Sequence, residues 1–480
     1  MNRLFGVFTA GLVVLAGCGK DEKPVVSECD YEDLDLSACD KSGLGAVQAE
    51  GIWNMNLVFS DGEMSPAVMR FSGQAQLSGL PITETRVEPE RFQLSSQVTA
   101  DGVPVSYLFA GCRAPTPTQL QGVFRRCVQG KKDLEGSFDA ARLMRRTGEA
   151  EGSGVEFVSE IALPEDSSAR DVFVHQGHAY VAAHEAGLFI YDVTNPRAPA
   201  LAARRGPEKG ESWNQVWVRE QTLYVASSRR GVMVFDLTDP KSPTAVGVVA
   251  TGVNVTGMAF DGTRLYAASP SPNAEILILD ATVARSPVIT RRYYVEQSNP
   301  ILGDLPWDVA VQDNRLYVSH GTYGLTISDV SDPSKPTLLG NFEYSGGYTR
   351  RAAVFRSGNA TVAFEAGEGW DAHLRVLDVT APKVVTQMSE FKLRPEASIS
   401  AMAMAGTRLY LGHYQDGLRI LDVSNPNALR PVGYFNTWRE SDPGRGSTFF
   451  EGVSDVAVPG DGYIYVAETS RGLLILREQP

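Results

Sequence analysis

Histidine and cysteine are scarce in this 480-residue chain, with six of the first and five of the second. No His lies in the first 150 residues and the Cys spacings there are long, which speaks against a zinc site. There is no His-Glu-x-x-His pair and no Gly-x-Ser-x-Gly elbow, so the common zinc-peptidase and serine-hydrolase signatures are missing. A concentrated basic face is also lacking. The formal charge is −13, and Arg204-Arg205, Arg229-Arg230, Arg291-Arg292 and Arg350-Arg351 stand apart, which argues against nucleic acid as a partner. Long apolar runs are absent beyond the first residues, so no membrane helix is expected. Helical periodicity is missing too: Gly and Pro interrupt alternating apolar residues every 8–12 positions, which excludes a helical solenoid.

What is present begins at the N-terminus. Met1-Asn2-Arg3 precedes a short apolar run from Leu4 to Leu15, the layout of a secretory signal. The run ends Leu15-Ala16-Gly17-Cys18, which resembles the lipobox of bacterial lipoproteins. That resemblance implies a signal peptide over 1–17, cleavage before Cys18, lipidation of its thiol and anchoring to a membrane. Gly19 in place of Asp leans toward the outer membrane over inner-membrane retention. Residues 18–50 are acidic and read as a tether. Cys29, Cys39, Cys112 and Cys127 are an even set in an exported chain and read as two disulfides. Three pairings are possible, and the local ones, Cys29–Cys39 and Cys112–Cys127, are favoured.

Residues 51–150 alternate in short segments such as Ile52–Phe59 and Val105–Phe109, predicting a small antiparallel β-sandwich or barrel. A barrel could hold an apolar ligand, but a packed spacer domain with no cavity is the favoured reading. Gly122–Phe124 and Gly136–Phe138 read as its last hairpin, and Thr147–Gly154 as a linker.

The remainder is periodic. Gly187-Leu-Phe-Ile-Tyr-Asp192-Val-Thr-Asn-Pro196 returns in copies ending at Pro240, Pro333 and Pro426, with weaker copies around Asp280 and Asp378. Asp192, Asp236, Asp280, Asp329, Asp378 and Asp422 are spaced by 44, 44, 49, 49 and 44 residues, the period of a propeller blade. Upstream of each lies a strand marked by Tyr180, Tyr224, Tyr266, Tyr317, Val362, Tyr410 or Tyr465, and before that another. Four strands per repeat and seven repeats predict an all-β, seven-bladed β-propeller over 155–480, preceded by the small antiparallel β domain. The seventh repeat lacks its fourth strand, and Val155–Ile161 is expected to supply it. Each repeated Asp is read as a turn residue. In the seventh copy, which no turn follows, Arg477 stands in its place.

The Leu-x-Ile-x-Asp-Val-Ser-Asn-Pro unit resembles the LVIVD repeat of exported bacterial propeller proteins, over roughly Val155 to Leu476. Copies three and five depart from it, with Ala284 for Pro and His373 for Gly. The resemblance implies a propeller that binds, and it carries no catalytic motif.

In a propeller, the loops between second and third strands share a face with those between successive blades. Those loops break the repeat. His184, Arg229, Trp307, His320, Tyr323, Arg351, Trp370, Asp371, His413, Tyr414, Glu468 and Arg471 are the candidate binding face for a protein or glycan. Aligning first strands on the Tyr nine residues later brings Asp171, Asp308 and Asp455 to one level of the channel, beside Gln215, Gly257 and Ala401. Three carboxylates could hold Ca²⁺, so a hydrolase or lactonase using a channel cation is the alternative, and a structural part of an envelope assembly a third. Gly367-Glu-Gly369 is faintly like a dinucleotide loop, but no helix follows it.

Overall fold

The computed structural model describes residues 28–71, 73–164, 167–344 and 346–479. The expected signal peptide and Cys18 lie outside them. Two compact units emerge: Met1–Met144 with Gly444–Phe449, and Arg145–Pro443 with Phe450–Pro480. No described helix is long and apolar enough to cross a membrane.

In the first unit, the expected sandwich or barrel is one nine-stranded antiparallel sheet, curled as a half-barrel. Its inner face is filled by Trp53, Met55, Leu57, Phe92, Phe109, Phe124 and Phe138. The predicted last hairpin forms, and in it Gly122 faces Phe138 while Gly136 faces Phe124. Each ring covers the bare backbone opposite, which explains the crossed Gly-x-Phe pattern.

The disulfides correct the sequence reading. Cys29 bonds Cys127 and Cys39 bonds Cys112, with Cα–Cα separations of 6.2 and 4.3 Å. The local pairing fails because Cys127 faces Ser106 across the ladder whereas Cys112 stands beyond Gly111, which faces Gly122. The two are about six residues apart along one strand pair, on the order of 20 Å. The bonds pin residues 28–50 to the sheet, and Leu34 packs on Leu108 and Ala110. That part of the expected tether is therefore folded structure.

The second unit is the predicted propeller. Seven sheets carry the first strands Asp171–His175, Trp213–Arg219, Gly257–Asp261, Asp308–Gln312, Thr349–Ser357, Ala401–Ala405 and Val453–Ala457. These open blades 1 to 7. Apolar residues alternate along the strands, so each sheet has two apolar faces and buries each against a neighbouring blade. The outcome is seven hydrophobic clusters, one per seam. The repeated Tyr180, Tyr224, Tyr266, Tyr317 and Tyr465 are fully buried in them.

Val155–Ile161 pairs with Gly472–Glu478 and closes blade 7, as the missing fourth strand required. Arg477 there faces and ion-pairs with Glu156. The linker contains something the sequence did not reveal. Gly152–Ser153 adds a fifth strand to blade 6, against Phe435 and Tyr434.

All six repeated Asp residues do what the turn reading assigns. Each accepts, through Oδ1, the backbone N–H two residues on, from Thr194, Thr238, Thr282, Ser331, Thr380 and Ser424, at 2.8–3.0 Å. Together with the Thr or Ser hydroxyl, which donates to the same carboxylate, these bonds hold Asp192, Asp236, Asp280 and Asp329 below their usual range, and the Ser424 N–H with Arg430 does so for Asp422.

Candidate functional site

The first strands line the channel, and side chains near their starts form a ring. Six members are those aligned from sequence; the seventh corrects the alignment. In blade 5, Phe364 rather than Val362 faces the third-strand Val376, so Phe364 is the tyrosine equivalent. The level then falls on Arg351, which faces Ala366 just after a bulge between Thr349 and Arg351. The ring is Asp171, Gln215, Gly257, Asp308, Arg351, Ala401 and Asp455.

Its side chains bind the blades together. Asp455 Oδ2 accepts from Val172 N at 3.0 Å, and Asp171 Oδ2 from Val216 N at 2.9 Å. Gln215 Oε1 accepts from Met258 N, and Asp308 from Ala352 N. Arg351 Nε donates to Ser400 O at 2.8 Å, and Ser400 Oγ to Val453 O at 2.6 Å. Gly257 offers no side chain, and a Cβ there would sit 2.6 Å from Asp308 Oδ1. Thr256 Oγ1 crosses that seam to Trp307 O at 2.7 Å. A side-chain-to-backbone hydrogen bond thus spans every seam.

Burial raises the carboxyls of Asp171, Asp308 and Asp455, the last to about 6, and repulsion from neighbouring carboxylates adds to it for Asp171 and Asp455. Arg351 opposes this at the same level, 3.7 Å from Asp308. The side chains of Asp308 and Arg351 are enclosed by blades yet 13% and 30% exposed, as expected of a channel open to water. With backbone N–H groups on the carboxylates and a guanidinium among them, the ring has little left for a dication. Among the described residues, no group of three or more His, Cys, Asp or Glu could hold a metal.

Above the ring, residues from the successive blades 4 to 7 meet at the channel mouth. Arg350 pairs with Glu368 at 2.8 Å and lies over the Trp307 ring at 3.9 Å. Trp307 Nε1 donates to Tyr348 Oη at 2.8 Å, and Tyr414 Oη to Glu368 Oε1 at 2.6 Å. The Phe450 ring lies 5.6 Å from that of Tyr414. Burial and the neighbouring Glu368 hold the Tyr414 phenol well above its usual range.

Of the predicted binding face, the mouth takes Trp307 and Tyr414, with Arg351 in the ring beneath. His184 instead bridges to Trp213, and burial with Arg170 nearby lowers its imidazole to about 4. The others hold the loops together. His320 and His413 are buried, and burial pushes both down to about 4. The His413 ring lies 3.7 Å from Asp416, and that of Tyr323 meets His320 edge-on at 6.0 Å. Glu468 is buried and accepts from the N–H groups of Ser470 and Arg471, while Arg471 is held by Glu160 and Thr437 O. Asp371 pairs with Lys392 beside half-buried Trp370, and Arg229 is exposed. Sequence reasoning singled out neither Arg350 nor Glu368. Both lie in loops that break the repeat, from which the sequence reading took Arg351, Trp370 and Asp371 as candidates instead.

An open groove of about 590 Å³ lies elsewhere, between blades 4 and 5. Asp313, Asn314, Asp329, Ser331 and Pro382 line it, so it is a crevice between hairpin and turn residues of two repeats and gathers no comparable chemistry.

The ring, seams and mouth define a seven-bladed β-propeller protein in which the polar residues of the repeat serve the fold. More particularly, it carries LVIVD repeats: the family model described as LVIVD repeat matches residues 166–204, 210–251, 306–343, 401–437 and 452–476. These are blades 1, 2, 4, 6 and 7. The unmatched blades 3 and 5 are those with Ala284 and His373. No curated protein matches the chain. Among solved structures, a catalytically inactive virginiamycin B lyase from Staphylococcus aureus with quinupristin is similar at 13% identity and TM-score 0.50, covering 67% of this chain and 99% of its own. The WD40 β-propeller domain of Doa1 is similar at 11% identity and TM-score 0.50, covering 68% and 98%. At these identities the likeness is one of fold.

Proposed function

We propose that this chain is a lipid-anchored envelope protein whose propeller binds a protein or glycan ligand at the channel mouth, without catalysis. The observation that carries this reading is the gathering of Trp307, Tyr348, Arg350, Glu368 and Tyr414, none of which the repeat prescribes. An aromatic platform beside a paired cation and carboxylate suits recognition of a polar ligand with an apolar face. Screening the full chain against an array of glycans and envelope proteins tests it. Trp307→Ala and Arg350→Ala should each weaken a captured ligand about tenfold or more while leaving the melting temperature within a few degrees. Ligands that bind both variants as tightly as the parent would overturn the reading. Cys18→Ala should move the protein from the membrane fraction to the soluble one, and retention in the membrane would count against the anchor. The rival hydrolase needs a channel cation, so a fall in melting temperature in chelator would favour it.

A further inference from the structure

The connection from blade 3 to blade 4 carries a second surface, built from different residues. It contains a single 3₁₀ turn, Pro300–Leu302, on which Ile301 is 93% and Leu302 69% exposed. Such exposure of two adjacent large aliphatics is unfavourable in water unless something covers them. The turn is also fixed in place. Asn299 Oδ1 accepts from Ile301 N at 3.1 Å, and Asp304 Oδ2 from Asn299 N. Thr322 Oγ1 hydrogen-bonds Asp304 Oδ1 at 2.6 Å and Leu302 O at 3.0 Å, which ties the turn to a blade 4 loop. A knob held this firmly has little conformational entropy to lose on docking.

Charge narrows the occupant. From Tyr293 to Asn314 there is no Lys or Arg, while Glu296 in this stretch and Glu343 beyond it are exposed. An acid-flanked knob repels anionic lipid headgroups, and it repels a second copy of itself in a chain of net charge −13. We infer that Ile301 and Leu302 are the anchor of a protein-docking surface whose partner presents an apolar pocket rimmed by Lys or Arg. The inference stands independently of a ligand at the mouth, because the two rest on separate side chains.

The test is a photo-cross-linking residue in place of Ile301 in the full chain, in cells that naturally make it. The same residue in place of Val384, which is 68% exposed on a turn of blade 5, is the control. The expected result is one protein adduct from position 301 and none from 384, with the cross-linked partner segment rich in apolar and basic residues. That partner, purified, should bind the full chain, with affinity lost about tenfold or more in Ile301→Ser/Leu302→Ser and weakened in Glu343→Lys and by salt. An adduct only to lipid, only to a second copy, or none overturns the inference. So does a partner that binds the double variant as tightly as the parent. Both substituted side chains are exposed, so an unchanged melting curve should accompany the loss.

Discussion

At the scale of single residues, acidic groups divide by the hydrogen bonds they accept. The turn carboxylates at Asp192, Asp236, Asp280, Asp329, Asp378 and Asp422 each satisfy a backbone N–H two residues on. Asp329→Ala should therefore cost about 1 kcal/mol in a urea melt, and added Ca²⁺ should not shift parent or variant. The ring carboxylates carry a pH dependence of the opposite kind. Burial pushes Asp455 up to about 6, against about 3.9 in an unfolded chain. The folded state holds that proton more tightly, so the contribution is complete below about pH 4 and lost as pH rises through about 6. Asp455→Asn keeps an oxygen for Val172 N and removes the charge. It should be up to about 2 kcal/mol more stable than the parent at pH 7 and equal to it near pH 4, by urea melts across that range. The half-buried His184 and the buried His320 and His413, held down to about 4, act in the other direction. Their contribution is present above about pH 6.5 and lost as pH falls through about 4. The two contributions oppose each other in the parent's own profile, and the difference between parent and Asp455→Asn isolates the carboxylate because it closes as pH falls.

At the scale of elements, the propeller is fastened by the segment that enters it. Glu149 accepts from Arg419 Nη1 and Nη2 at 2.7 and 3.0 Å, and Asn436 Nδ2 donates to Ala150 O at 2.7 Å. Gly152–Ser153 then pairs with blade 6, and Val155–Ile161 completes blade 7. The Arg419 side chain is 5% exposed, so Glu149→Ala leaves a buried guanidinium without its carboxylate. That should cost about 3 kcal/mol, and adding Arg419→Met should recover most of it, read as a double-mutant cycle of denaturant midpoints. The closing strand could be read from the sequence because a missing fourth strand is a matter of counting. The clasp could not, because two residues of a Gly- and Glu-rich stretch have no periodicity to betray a strand.

At the scale of the whole molecule, all four disulfide cysteines precede Arg145, and the second unit contains none. The bonds close separations of 98 and 73 residues, each contributing up to about 4 kcal/mol by loop entropy. Reductant should lower the melting transition of the first unit and leave that of the propeller unchanged in calorimetry. Non-reducing peptide mapping should recover Cys29 with Cys127 and Cys39 with Cys112. Recovery of Cys112 with Cys127 would contradict the strand register. The mouth assembles in another way: Trp307, Arg350, Glu368 and Tyr414 come from the successive blades 4, 5 and 6, which pack side by side and bring their loops together.

By itself the sequence determined the blade count, the closing strand and the turn Asp, since each follows from spacing within one repeat or between neighbours. Only the tertiary structure decided the disulfide partners, the place of Arg351 in the channel ring and the membership of the mouth. Those depend on which strands pair, where a bulge shifts the register by a residue and how seven blades bend into a circle. A periodic sequence states its own repeat, but the meeting points of its exceptions are set by the closed geometry.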